Sequence, residues 1–348
     1  MRLFSEKGVL YTVATLGIIV VANVFGSKIR EAVYPNNEDE LIRKYLLNDN
    51  PLYGYNRPKL WIHSSYEYNA RKWKSFGSRS STDLNQPYIH LTIQSIIHHC
   101  GDDFNVCLID DDSFSQLIPG WKVNVSELAE PALTYFRELG MCELLYIYGG
   151  FVVPNTFICL KNLAPLYLAG TKGDKPFVCE TPNRYANIIN NHSNKLFTSN
   201  HKFMGAPKRS PVIRDMIDYI KIRNCNAQLS SEPQFFGYVS RWLNNECVKN
   251  HINKVDGIYI GVKTTENKQV GIEELLGESS IPFCPDKTCG VYLPGDELLK
   301  RCAYKWFSVL PLNELLNTNM VVTKYLTASL QEIPKEKSEI VSRTVVSI

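Results

Sequence analysis

The chain has 348 residues, of which 44% are hydrophobic and 21% charged, with a formal net charge of +3. That balance supports a sizeable core, and the scattered basic residues, with no run of five, argue against nucleic acid, which needs a concentrated basic face. The ten cysteines contain no C-x-x-C pair, which argues against a zinc ribbon or a thioredoxin-type site.

Residues Val9–Phe25 read VLYTVATLGIIVVANVF, without charge and with one amide, Asn23. About 20 residues cross a ~30 Å hydrocarbon core, so the run is a short transmembrane candidate. Arg2 and Lys7 precede it and Lys28 and Arg30 follow, so flanking charge sets its orientation weakly. The expectation is a tail over 1–8, a signal-anchor over 9–25 and a polar stem over 26–57, in a single-pass type II membrane protein. Two N-x-S sequons, at Asn124 and Asn191, would be glycosylation acceptors in a lumenal domain.

A globular domain is expected over 58–328, and a flexible tail over 329–348. Lys59–His63 is a short apolar run ending in Ser64, a first strand. Tyr88–Cys100 places Ile89, Ile93, Ile96 and Ile97 at helical spacing. Phe104–Ile109 reads as a strand closed by Asp110, Asp111 and Asp112. A strong helix follows over Pro131–Tyr148 and stops at Gly149–Gly150, the residue type expected past a helix end. Phe151–Val153 is a buried strand broken by Pro154. Later strands are expected at Lys175–Cys179, Phe203–Pro207 and Gly257–Gly261, and helices at Pro211–Ile222 and Gln234–Cys247.

Alternating strand and helix is the pattern of an α/β protein with a parallel sheet. Ligands of such sheets bind at the carboxyl ends of the strands. Those ends carry His63, Ser64, Asp110, Asp111, Asn155 and Thr156, a polar cleft in the making. Most of the cysteines, Cys107, Cys142 and Cys159 among them, read as small buried hydrophobes. Cys284 and Cys289 flank a loop where a local disulfide is open in an oxidising compartment.

Pro58-Lys-Leu-Trp-Ile-His63, Cys107-Leu-Ile-Asp-Asp-Asp112, Leu144-Leu-Tyr-Ile-Tyr-Gly-Gly150 and the step FVVPNTFICLKNL over 151–163 occur in that order. Together with Lys202–Pro207 and Pro211 they resemble glycosyltransferase family 32, the sugar-binding D-x-D transferases, over about half the chain. The resemblance implies a GT-A-like, mostly parallel sheet covered by helices. It also implies transfer of a sugar, with retention, from a nucleotide-sugar donor to a glycan or glycoconjugate acceptor at a membrane. Donor contacts are implied at His63, Ser64, Asp110, Asp111, Gly149, Gly150, Asn155 and Thr156, and catalytic carboxylates are sought at Glu138 and Glu232.

The chain departs from that pattern where the metal would sit. The family's D-x-D falls on Pro154-Asn155-Thr156, its helix Arg on Met141, and the Asp before that Arg on Glu138. Hard Mg²⁺ or Mn²⁺ wants carboxylate oxygens, which this step lacks. Three readings stay open. The site is metal-independent, with Lys202, Lys208, Arg209 or helix amides taking the charge. Asp110–Asp112 hold a metal from the next strand, unless Asp112 or Ser113 only caps the following helix. Or the chain is an inactive fold relative that binds glycans or protein partners.

Overall fold

The computed structural model describes residues 57–64, 86–183, 195–225 and 232–331. The expected anchor over 9–25, the rest of the N-terminal segment before Arg57, Asn191 and the tail beyond Gln331 lie outside the described residues. Among the described residues, no helix is long and apolar enough to cross a membrane.

The frame is a six-stranded sheet of order β2-β1-β3-β6-β5-β7. Its strands are β1 (Lys59–His63), β2 (Asn105–Ile109), β3 (Gly150–Val152), β5 (Phe177–Pro182), β6 (Phe197–Ala206) and β7 (Asn253–Val255). A separate antiparallel pair joins β4 (Phe157–Cys159) to β8 (Gly290–Tyr292). β1 is parallel to both β2 and β3. β6 alone runs the other way, antiparallel to β3 and to β5, while β7 is parallel to β5. The observed class is therefore mixed α/β with a mostly parallel central sheet.

β1 sits between two parallel neighbours, which is why Leu60, Trp61 and Ile62 are all fully buried. Trp61 also donates its indole N–H to the Gly149 carbonyl at 2.9 Å. Helix α1 (Tyr88–Cys100) buries Ile89, Ile93 and Ile96 and packs on β4. A one-turn helix α2 (Ser113–Leu117) follows β2. Helix α3 (Ala132–Tyr148) buries Tyr135, Leu139, Leu144 and Leu145 and packs on a later helix, α5 (Pro211–Cys225). Helix α4 (Ala164–Gly170) lies between β4 and β5 in the chain. Helix α6 (Glu232–Val248) then lies against β6.

The step from α3 into β3 needs glycine. Gly149 and Gly150 have φ of 67° and 110°, and a Cβ on Gly150 would lie 2.2 Å from the Lys59 carbonyl oxygen. Only without a side chain does β3 approach β1 closely enough to pair.

Two sequence expectations shift. Gly257–Gly261 is not a strand but a run of turns: Tyr259 N–H bonds to Asp256 C=O at 3.2 Å and Gly261 N–H to Ile258 C=O at 3.3 Å. Gly261 has φ of 67°, outside the extended region, so the apolar Ile258 to Ile260 stretch curls, and the strand lies earlier, at Asn253–Val255. The strand expected at Phe203–Pro207 is longer, Phe197–Ala206.

Candidate functional site

The parallel strands β1, β2 and β3 bring their carboxyl ends together. β6 returns antiparallel, pairing Met204 with Val152, so the next facing position toward that end brings Lys202 and His201 beside Pro154. On α3, Thr134, Arg137, Glu138 and Met141 recur at three- and four-residue steps, one face of a helix, and all four line the same opening. Glu232 and Phe236 of α6, and Asp296 of α7 (here Gly295–Lys300), close the far wall. The resulting cleft has a volume of about 290 Å³, at the lower edge of the ~300–1,000 Å³ usual for ligand sites.

Two carboxylates organise its charge. Asp111 accepts two hydrogen bonds from Arg137, Nε to Oδ1 at 2.8 Å and Nη2 to Oδ2 at 2.7 Å. His63 Nε2–H donates to the same Oδ1 at 3.0 Å, and its ring stacks on Phe114 with centroids 5.5 Å apart. Burial pushes the Asp111 carboxyl up, but the hydrogen bonds and charges of His63 and Arg137 outweigh it and hold the group well below the ordinary carboxylate range.

Glu138 is held differently. Its Oε2 lies 3.1 Å from His201 Nε2, an approach too oblique for an aligned hydrogen bond. Burial pushes its carboxyl up, and the nearby His201, then Lys202 and His63, more than offset that and keep it below its ordinary value. His201 is 4% exposed and stacks on Phe236 with centroids 5.1 Å apart. Its Nδ1 meets no hydrogen-bonding partner among the described residues. Lys202 Nζ sits 3.4 Å from Asp296 Oδ2 and over the Phe236 ring.

His63, Glu138, Asn155, Thr156 and Glu232 line the cleft together. Ser64 is buried beside it, its N–H bonded to the Ile109 carbonyl at 2.8 Å, and Asn155 Nδ2 donates to its hydroxyl at 3.5 Å. Asp111 stands behind His63 and Arg137, not on the cleft wall. Asp110 turns away to start α2: its Oδ1 accepts the Ser113 N–H at 2.9 Å, the capping work expected of Asp112 or Ser113. Gly149 and Gly150 are at the other end of β3, roughly 10 Å along a strand rising ~3.3 Å per residue, where they serve backbone packing and do not line the cleft. Lys208 and Arg209 are at that far end too, Arg209 N–H bonding to the Tyr146 carbonyl at 2.7 Å. Of the proposed cations only Lys202 lines the cleft.

The residues at the D-x-D position do not fit a hard divalent cation. Thr156 spends its hydroxyl on the Leu293 carbonyl at 2.6 Å, and the Asn155 carbonyl accepts from Thr92. Asp111 has both oxygens bonded to cations, so it is no readier a ligand. Among the described residues no group of three His, Cys, Asp or Glu is arranged to hold a metal.

Arg137, His201 and Asp296 escaped sequence reasoning. Arg137 adjoins Glu138, and both line the cleft. His201 reaches the cleft only through the antiparallel register of β6, which no local pattern encodes.

No family model matches the chain, and no curated protein does. Among solved structures it is similar to the PaToxG glycosyltransferase at 14% identity and TM-score 0.30, over 64% of this chain and 83% of that one. It is similar to galactosyltransferase LgtC, solved with donor and acceptor sugar analogues, at 10% identity and TM-score 0.37, over 81% and 99%. It is similar to the apo form of glycosyltransferase GlyE from Streptococcus pneumoniae TIGR4 at 10% identity and TM-score 0.34, over 83% and 64%. Likenesses this weak carry no argument for activity, which has to come from the cleft.

Proposed function

We propose that the chain is a glycosyltransferase with a GT-A-like fold, taking a nucleotide sugar into this cleft and passing the sugar to a hydroxyl of a glycan or glycoconjugate. What supports the reading is Glu138: a half-buried carboxylate on the cleft wall, held ionised beside an imidazole with an unmet polar atom. A group held ionised is a weak proton acceptor near neutral pH. It is suited to stabilising positive charge at a sugar carbon as the bond to the leaving diphosphate breaks, which fits transfer with retention. Arg137 is held in two short bonds by Asp111, so the leaving group's negative charge falls first to Lys202, whose approach to Asp296 is longer at 3.4 Å. Glu232, at the start of α6, lines the far wall, and in this reading it is the acid on the acceptor side.

The test is a panel of nucleotide sugars with the purified full-length chain, with and without Mn²⁺. Turnover independent of chelator is expected. Neither turnover nor a thermal shift with any donor would leave the second reading, a glycan- or protein-binding relative without catalysis, which is favoured by the Thr156 hydroxyl being spent on backbone. The same proposal places Val9–Phe25 in a membrane as a type II anchor. Resistance of the full chain to alkaline carbonate extraction, lost on deleting 9–25, is the expected result.

A further inference from the structure

Cys100 ends α1 and Cys159 ends β4, where the helix packs on the strand that leaves the cleft. Both are fully buried, with sulfurs 3.8 Å apart. The same contact is knitted by two hydroxyls of α1. Thr92 donates to the Asn155 carbonyl, and Ser95 Oγ accepts the Cys159 N–H at 2.9 Å. Cys289 adjoins them, its carbonyl accepting from Leu160 and Lys161 N–H at 2.9 and 3.0 Å. The two buried thiols are thus the last pair in a line of links running from the cleft residue Asn155 along the helix–strand contact.

We propose that Cys100 and Cys159 are a cross-linking site, closing to a disulfide when the chain folds in an oxidising compartment. The two thiols lose two protons and pass two electrons to an external disulfide, which leaves as two thiols; the one new bond joins the two sulfurs. The sulfurs already face each other, and their gap exceeds a bonded pair by under ~2 Å. Once α1 is docked the exchange is slow, because neither sulfur is open to solvent and burial, with the Cys100 thiol alongside, pushes the Cys159 thiol up. Closure therefore accompanies docking of α1. The loop it spans carries β2, α3 and β3, the elements that place Asp111, Arg137 and Glu138. A bond across a loop of this length restricts the unfolded chain strongly. This inference stands whether or not the cleft transfers sugar.

The test refolds the full-length chain in glutathione buffers of graded redox ratio, then blocks free thiols under denaturing conditions before peptide mapping. A Cys100–Cys159 linked peptide is expected under oxidising ratios. Tm should be roughly 5–15 °C higher than for the same protein reduced. C100S and C159S should each abolish the peptide and melt like the reduced wild type, and where a variant does not refold the wild-type map decides alone. Recovery of both cysteines in blocked form at every ratio, or linkage of Cys159 to Cys289, overturns the proposal.

Discussion

Asp111 stands behind the cleft and Glu138 on its wall, and the two carboxylates are built for different ends. Asp111 has both oxygens engaged, by a planar guanidinium in two parallel bonds and by a histidine stacked on Phe114. Bidentate pairs of that kind fix geometry and leave little acceptor capacity over. Glu138 is half-buried on the cleft wall and has one oblique imidazole contact, from a ring whose other nitrogen is unmet. Buried polar atoms are nearly always bonded, so an unmet one beside the cleft is an exception that the Asp111 site does not share. The difference teaches that a depressed pKa alone does not separate a strut from a reactive group. The count of satisfied atoms around it does.

The largest effect that sharpens the contrast is on turnover. Glu138→Gln keeps the shape and removes the charge, and should lower kcat about 10²–10³-fold, the scale seen when one electrostatic stabiliser is lost, while Tm moves by only a few degrees. Steady-state kinetics with the active donor, beside thermal melts, measure both. Asp111→Asn should do the reverse. It leaves Arg137 half-buried without its counter-charge and should cost roughly 2–3 kcal/mol, less than a fully buried pair because both groups keep some solvent. That is a fall in Tm of about 5–10 °C for a domain of this size, read from urea or thermal unfolding. If the stability loss fell on Glu138→Gln and the rate loss on Asp111→Asn, the assignment of strut and reactive group would be inverted.

Much of the frame was readable in advance, and only part of the site. The apolar run Lys59–His63, the spacing in Tyr88–Cys100 and the Gly149–Gly150 stop each encode their element locally, and the strand-end rule brought His63 and Asn155 to one cleft. The same reasoning put Gly149 and Gly150 beside the donor, because a family resemblance carries motifs but not the end of the strand they occupy. Their true constraint is steric, the 2.2 Å approach to Lys59. His201 was invisible because its position depends on the register of β6 against β3, and Arg137 because its partner lies 26 residues away in the chain. Gly257–Gly261 misled for a simpler reason: an apolar triplet between glycines fits a buried turn as well as a strand.

The smallest effect is on acid stability, and its sign follows from linkage. Asp111 is held below its unfolded value of about 3.9, so it stabilises the fold at any pH above that value. The contribution is lost as pH falls below it, because the unfolded chain then takes up a proton that the folded site resists. Glu138 shifts in the same direction and adds to the same acid limb. Both variants should therefore flatten the fall in stability between pH 5 and 3 (approximate limits set by the unfolded values), by about 1 kcal/mol at pH 3 for Asp111→Asn after allowing for solvent screening at a half-open site. Glu180, salt-bridged to Lys254 and Lys263 at the other edge of the sheet, is depressed as well and should leave a residual slope in the double variant. Urea unfolding at stepped pH separates the three. A wild type and Asp111→Asn with parallel acid limbs would mean that His63 and Arg137 do not hold Asp111 ionised, and the strut would lose its electrostatic basis while keeping its geometry.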